Sequence, residues 1–93
     1  MYNAFMDIEF DPAKDAANII KHGVSLVEAD SFGWAAALVR ADNRSAYGED
    51  RMTAIGYIGA RLHVVVFADR GDVRRVISLR KASKREERIY AEA

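Results

Sequence analysis

The stretch Arg70-Gly-Asp-Val-Arg-Arg-Val-Ile-Ser-Leu-Arg-Lys-Ala-Ser-Lys-Arg-Glu-Glu-Arg88 decides the fold. Arg70-Gly71-Asp72 has turn chemistry, with a glycine able to take positive φ. Val73 to Leu79 is rich in β-branched residues and predicts a strand. Ser83 followed by Glu86 is a capping box, so a helix is expected from about Lys84, with Ile89 its main apolar residue. The window holds eight basic and three acidic residues, a net +5 in a chain that is neutral overall. Such a stretch predicts a concentrated basic surface for a polyanion, against the plainer reading of a solvated strand and helix.

Working back towards the N-terminus, Leu62 to Phe67 is nearly all apolar and predicts a central strand. Gly59-Ala60 separates it from a strand at Arg51–Tyr57, in hairpin fashion. Ala36–Ala41 is a further expected strand, ended by the loop cluster Asp42-Asn43-Arg44-Ser45. Asp11-Pro12 opens a helix, with Asp as N-cap and Pro at the first helical position, and Gly23 closes it. Within it Ala13, Ala16, Ala17 and Ile20 follow helical spacing, so they are expected to face a core, with Asn18 pointing elsewhere. Ser25…Glu28 is a second capping box and predicts another helix to about Phe32. Ile8–Phe10 is a short strand. The order β, α, α, strands, α describes a single α+β domain over residues 1–93. Its small antiparallel sheet carries two N-terminal helices on one face. The other face, flanked by a C-terminal helix, is left open for a ligand.

The 93 residues are 51% hydrophobic and 30% charged, a globular composition able to form one core. Cysteine is absent, which excludes disulfides and thiolate chemistry and fits a reducing, cytoplasmic setting. Met1–Phe10 lacks the basic start of a secretory signal, and no apolar run is long enough to span a membrane. Two histidines without metal-ligand spacing, and no glycine-rich phosphate loop, imply no metal and no cofactor.

Ordered pieces of the chain carry a family resemblance. They are Glu9-Phe10-Asp11-Pro12-Ala13-Lys14, Asn18…Lys21-His22-Gly23-Val24-Ser25, Glu49-x-Arg51…Ile55-Gly56, Leu62-x-Val64-Val65-x-Phe67, Arg70-Gly71, and Ile77-Ser78-x-Arg80-Lys81-Ala82…Glu86…Tyr90. Together they resemble the BrnT (DUF497) toxins of type II toxin–antitoxin systems. Three positions depart from the common pattern: Phe10 for Trp, Leu79 for Ala, and Tyr47-Gly48 before Glu49. The resemblance implies a RelE-like fold and an RNA-cleaving toxin that inhibits translation. It also implies a BrnA-type ribbon-helix-helix antitoxin, through which alone operator DNA would be touched.

Metal-free RNA cleavage needs a proton acceptor for the 2′-hydroxyl and cations for the phosphorane. Arg80 is the first candidate phosphate clamp, at a strand end before a helix N-terminus; its plainer role is an ion pair. Arg70, Lys21, His22 and Arg51 complete the candidate catalytic set. Arg70 is read as reaching the same phosphate or pairing with Asp69 or Asp72. Lys21 and His22 also suit a helix C-terminus, and Arg51 can pair with Glu49. Lys81, Ser78, Lys84, Arg85 and Tyr90 are candidate RNA contacts, Tyr90 by stacking on a base or by packing alone. His63 is read as a packing residue. Both a ribonuclease toxin and a noncatalytic binding module satisfy these residues.

Overall fold

A computed structural model describes residues 6–42 and 50–93. The loop cluster at 43–45, Tyr47-Gly48 and Glu49 lie outside the described residues. The elements are β1 (Asp7–Glu9), α1 (Pro12–His22), a 3-10 helix (Leu26–Ser31), a short 3-10 turn (Trp34–Ala36), β2 (Leu38–Asp42), β3 (Arg51–Ile58), β4 (Arg61–Arg70), β5 (Val73–Lys81) and α2 (Lys84–Glu92). The sheet order is β1-β5-β4-β3-β2. The expected hairpins are present. Gly59 and Gly71, both at positive φ, turn β3 into β4 and β4 into β5. One pairing departs from the antiparallel expectation: β1 runs parallel to β5.

The sheet has two unlike faces. On one, Ala54, Val65, Phe67, Val76 and Leu79 bury against Leu26, Ala29 and Phe32. Gly56 allows this approach, since a Cβ there would lie 2.7 Å from the Phe32 ring. At the edge of this core the Arg74 guanidinium sits 4.5 Å and 4.3 Å from the Trp34 and Phe67 ring centres and forks onto Asp69 at 2.7 and 2.8 Å. On the opposite face Ile55, Leu62, Val64 and Ala82 pack against Ile89 and Tyr90 of α2. That helix covers one end of the face only.

Strand β5 does not alternate regularly. Val66 pairs with Ser78 but Phe67 pairs with Val76, so Ile77 is an extra, bulged residue. Val76 and Leu79, three apart, therefore both reach the core. Arg75, Ser78 and Arg80 all fall on the opposite face, and Arg74 and Lys81 on the core face. The +5 stretch is thus split between two faces and does not form the single basic surface expected of it. Alternation along a strand is the reason.

The first helix forms as predicted but docks differently. Asp11 accepts from the Ala13 N–H at 2.8 Å, and Gly23, at φ 74°, ends the helix. Ala13, Ala16, Ala17 and Ile20 are exposed, whereas Asn18, at 6% exposure, is buried. The inward side meets backbone rather than apolar side chains. Asn18 donates to the Leu79 carbonyl at 2.7 Å and to the Val24 carbonyl at 2.8 Å, and accepts from the Leu79 N–H at 3.2 Å. Asp15 accepts from the Ser25 hydroxyl and the Leu26 N–H. An amide and a carboxylate satisfy these groups; alanines cannot. The second predicted helix is a 3-10 helix. Ser25 caps it through the Val27 N–H, while its own hydroxyl proton goes to Asp15.

The box at α2 is complete. Ser83 Oγ accepts from the Glu86 N–H at 3.2 Å, and Glu86 accepts from the Ser83 N–H at 2.8 Å. The same carboxylate receives both terminal nitrogens of Arg80 at 2.8 Å each. The Arg80 hydrogen bonds, helped by the Ser83 N–H, hold the Glu86 carboxyl down from 4.5 to about 2.

Two stability predictions follow from these contacts. Asn18→Ala leaves both polar groups of Leu79 unpaired and should cost about 2–4 kcal/mol in urea unfolding. Because the folded pKa of Glu86 is depressed, its contribution is present above pH 4.5 and is lost as pH falls from 4.5 towards 2. The pair is partly solvated, so the contribution is about 1 kcal/mol. Glu86→Gln should lower Tm near neutrality and flatten the acid limb over that window.

Candidate functional site

The bulge and the end of α1 meet in a groove of about 190 Å³ lined by Lys14, Ala17, Asn18, Lys21, His22, Ile77 and Ser78. Its parts follow from the local fold. Gly23 ends α1 so that Lys21 and His22 occupy the last turn, where the helix dipole favours cations. Asn18 fastens that turn to Leu79, and the bulge presents Ser78 to it. Arg80 follows two residues later on the same face as Ser78, opposite Val64.

Charge in the groove is positive. The His22 pKa is lowered from 6.5, first by burial, then by the charges of Lys21 and Arg80. Its imidazole is therefore neutral near pH 7, the state that can accept a proton. Arg80 is half-buried and its own pKa is raised, chiefly by the hydrogen bond to Glu86. Its planar fork is held against that carboxylate, with one further bond to the Lys81 carbonyl at 3.3 Å.

Three of the residues expected from sequence, Lys21, His22 and Ser78, line the groove, and Arg80 lies beside it on the same sheet face, near enough for its charge to act on His22. The others lie elsewhere. Arg51 shares the sheet face, through the rows Arg51–Asp42 and Thr53–Val66–Ser78 taken across the strands, but sits two strands away on β3. Arg70 lies six residues along β4 from the partner of Arg80, about 20 Å of strand. Arg80 also leans the other way, towards α2, so the two do not share one phosphate. Lys81 is directly opposite His63 on the core face. Lys84 and Arg85 are exposed in the first turn of α2. Tyr90 packs edge-on against Tyr57 with ring centres 5.6 Å apart and donates its hydroxyl to the Ala36 carbonyl at 3.0 Å. Its ring is thereby engaged in packing. His63 is buried, with Nδ1 2.9 Å from the Arg61 carbonyl oxygen.

Three contributors are not visible in the sequence. Helical spacing turns Asn18 away from the core, whereas the structure buries it. Glu86 reads as a cap, and its position three residues after Ser83 carries no sign of Arg80. Arg40 lies opposite Thr53, in the row that continues through Val66 to Ser78, and adds a cation to the open face.

Among the described residues no helix is long and apolar enough to cross a membrane. No three His, Cys, Asp or Glu side chains among them come together as a metal site would require. A search of curated proteins finds no match. A family model described as the ribonuclease toxin BrnT of type II toxin–antitoxin systems matches residues 10–86. That span contains α1, all four antiparallel strands, the bulge, the groove and the Arg80–Glu86 pair. With most of its length matched, the chain belongs to the BrnT family of ribonuclease toxins of type II toxin–antitoxin systems.

Proposed function

We propose that this chain is a metal-independent endoribonuclease of RelE-like fold. It acts on mRNA in the cytoplasm, inhibits translation and is neutralised by a BrnA-type ribbon-helix-helix antitoxin, which alone contacts operator DNA. One observation carries the catalytic part: the bulge at Ile77 sets Ser78 and Arg80 on the face where α1 ends in Lys21-His22. Neutral His22 takes the proton of the RNA 2′-hydroxyl as its oxygen attacks the adjacent phosphorus. Lys21 and Arg80 stabilise the phosphorane, and the P–O5′ bond breaks as the leaving 5′-oxygen takes a proton from water. Ser78 can donate a hydrogen bond to a phosphate oxygen. The products are a 2′,3′-cyclic phosphate and a 5′-hydroxyl end. On this reading Arg51, Arg70, Lys84 and Arg85 contact the flanking RNA backbone.

A second reading has its own observation. Arg80 is already forked onto Glu86, as in a structural ion pair. On that reading the chain is a noncatalytic module that binds antitoxin or RNA.

The two readings separate on cleavage of RNA in EDTA, with and without ribosomes, and with end-group analysis. The ribonuclease reading expects cyclic phosphate ends. It also expects losses of about 10²–10⁴ in rate for His22→Ala and about 10²–10³ for Arg80→Ala, both folded by thermal melting. Arg85→Ala should weaken binding and flatten its salt dependence while sparing the rate. RNA bound but uncut under every condition establishes the binding module instead. A folded Arg80→Ala that cuts at the parent rate removes Arg80 from the centre.

A further inference from the structure

Helix α1 is amphipathic the wrong way round. At 100° per residue, Asp15, Asn18 and His22 share the side that meets the protein, and Ala13, Ala16, Ala17 and Ile20 share the opposite one. All four of the latter are exposed, Ile20 at 87%, and Ile19 beside them is 45% exposed. An apolar ridge held out in water across a capped helix is the pattern of a surface that another helix covers.

The ridge has a charged border on one side only. Lys14 and Lys21 flank it next to Ala17, and these three residues also line the groove with His22 and Ser78. The ridge therefore runs directly into the candidate catalytic groove. A second copy of this chain is a poor occupant. Antiparallel packing of two α1 helices sets Lys14 of one against Lys21 of the other, and like charges repel. A partner helix with an apolar face and an acidic border meets both requirements.

We infer that the outer ridge of α1 is the docking surface for an amphipathic helix of the cognate antitoxin. Acidic residues of that helix pair with Lys14 and Lys21, closing the groove over His22. This rests on the reading of the groove as the cleavage centre and adds how that centre is silenced. Affinity for the antitoxin is measurable without any cleavage, so the two claims fail separately.

The test uses the full chain and its purified antitoxin in calorimetric titration, beside RNA cleavage by the chain alone. Ile20→Glu should weaken antitoxin binding by about 30-fold or more while cleavage and Tm stay at the parent values. Lys14→Glu should weaken binding and reduce its salt dependence. The chain has no cysteine, so Ile20→Cys places a unique thiol on the ridge, and antitoxin should protect it from alkylation. Unchanged affinity of Ile20→Glu, or equal alkylation with and without antitoxin, overturns the proposal. It is equally overturned if Ile20→Glu only converts a dimer of this chain to monomer. A parent chain that cuts no RNA yet binds antitoxin through Ile20 upholds the surface and overturns the cleavage reading.

Discussion

One extra residue in β5 decides which face of the sheet receives every side chain around it. Without Ile77 as a bulge, strict alternation would put Val76, Ser78 and Arg80 on one face and Arg75 and Leu79 on the other. With it, Val76 and Leu79 both enter the core, and Ser78 and Arg80 join Arg75 on the outer face. Immediately beyond the bulge, Asn18 holds both polar backbone groups of Leu79. The strand's outer edge is thus satisfied by a side chain where β1 no longer pairs with it. The same asparagine carries the end of α1, and with it Lys21 and His22, to the rim of the groove. Core packing, helix placement and site geometry all pass through this one irregularity, as bulges beside functional sites often do.

The proposed chemistry rests on a few charges whose neighbours the fold fixes. Glu86 closes the α2 cap with Oε1 and holds the Arg80 fork with both oxygens. A guanidinium held in place needs little reorganisation to meet a developing phosphorane. It must also exchange part of its bond to Glu86 for the phosphate. His22 feels Lys21 and Arg80 in the direction that keeps it neutral. A substrate phosphate between these groups would oppose that effect and favour the imidazolium, which is the direction a general base needs as it takes a proton.

Much of the fold was legible because its signals are local. Asp11-Pro12, Gly23, the Gly59-Ala60 and Gly71-Asp72 turns and the Ser83–Glu86 box each act within a few residues, and each marks a real boundary. What the sequence concealed depends on distant partners. Asn18 looked like a solvent residue because its partner Leu79 is 61 positions away. The alanines and Ile20 looked like core because helical spacing records a face without saying which way it turns. The second helix was legible as a cap but not as a 3-10 turn: Ser25 Oγ accepts from the Val27 N–H, and the expected box with Glu28 is replaced by a backbone bond from the Glu28 N–H to the Ser25 carbonyl. The bulge has one trace, the spacing of three between Val76 and Leu79, which breaks the period of two of a regular strand. Residue type and position single out Lys21, His22, Ser78 and Arg80, which the fold brings to one region of the sheet face. Strand parity alone turns Lys81 to the face opposite Arg80, as in the structure, whereas the distance of Arg70 from Arg80 is set by strand pairing and is not legible in the sequence.

The claim that most needs testing is that His22 stands where the scissile phosphate lies. The chain has only two histidines, His22 and His63, so their imidazole resonances can be followed together. The measurement is a pH titration of both by NMR, repeated with fully 2′-O-methylated RNA, which binds but lacks the nucleophile. His22 should titrate below 6.5 in the unbound chain, and its pKa should rise on adding the RNA. A His22 resonance that ignores bound RNA, or a response confined to His63, would contradict the assignment of the groove.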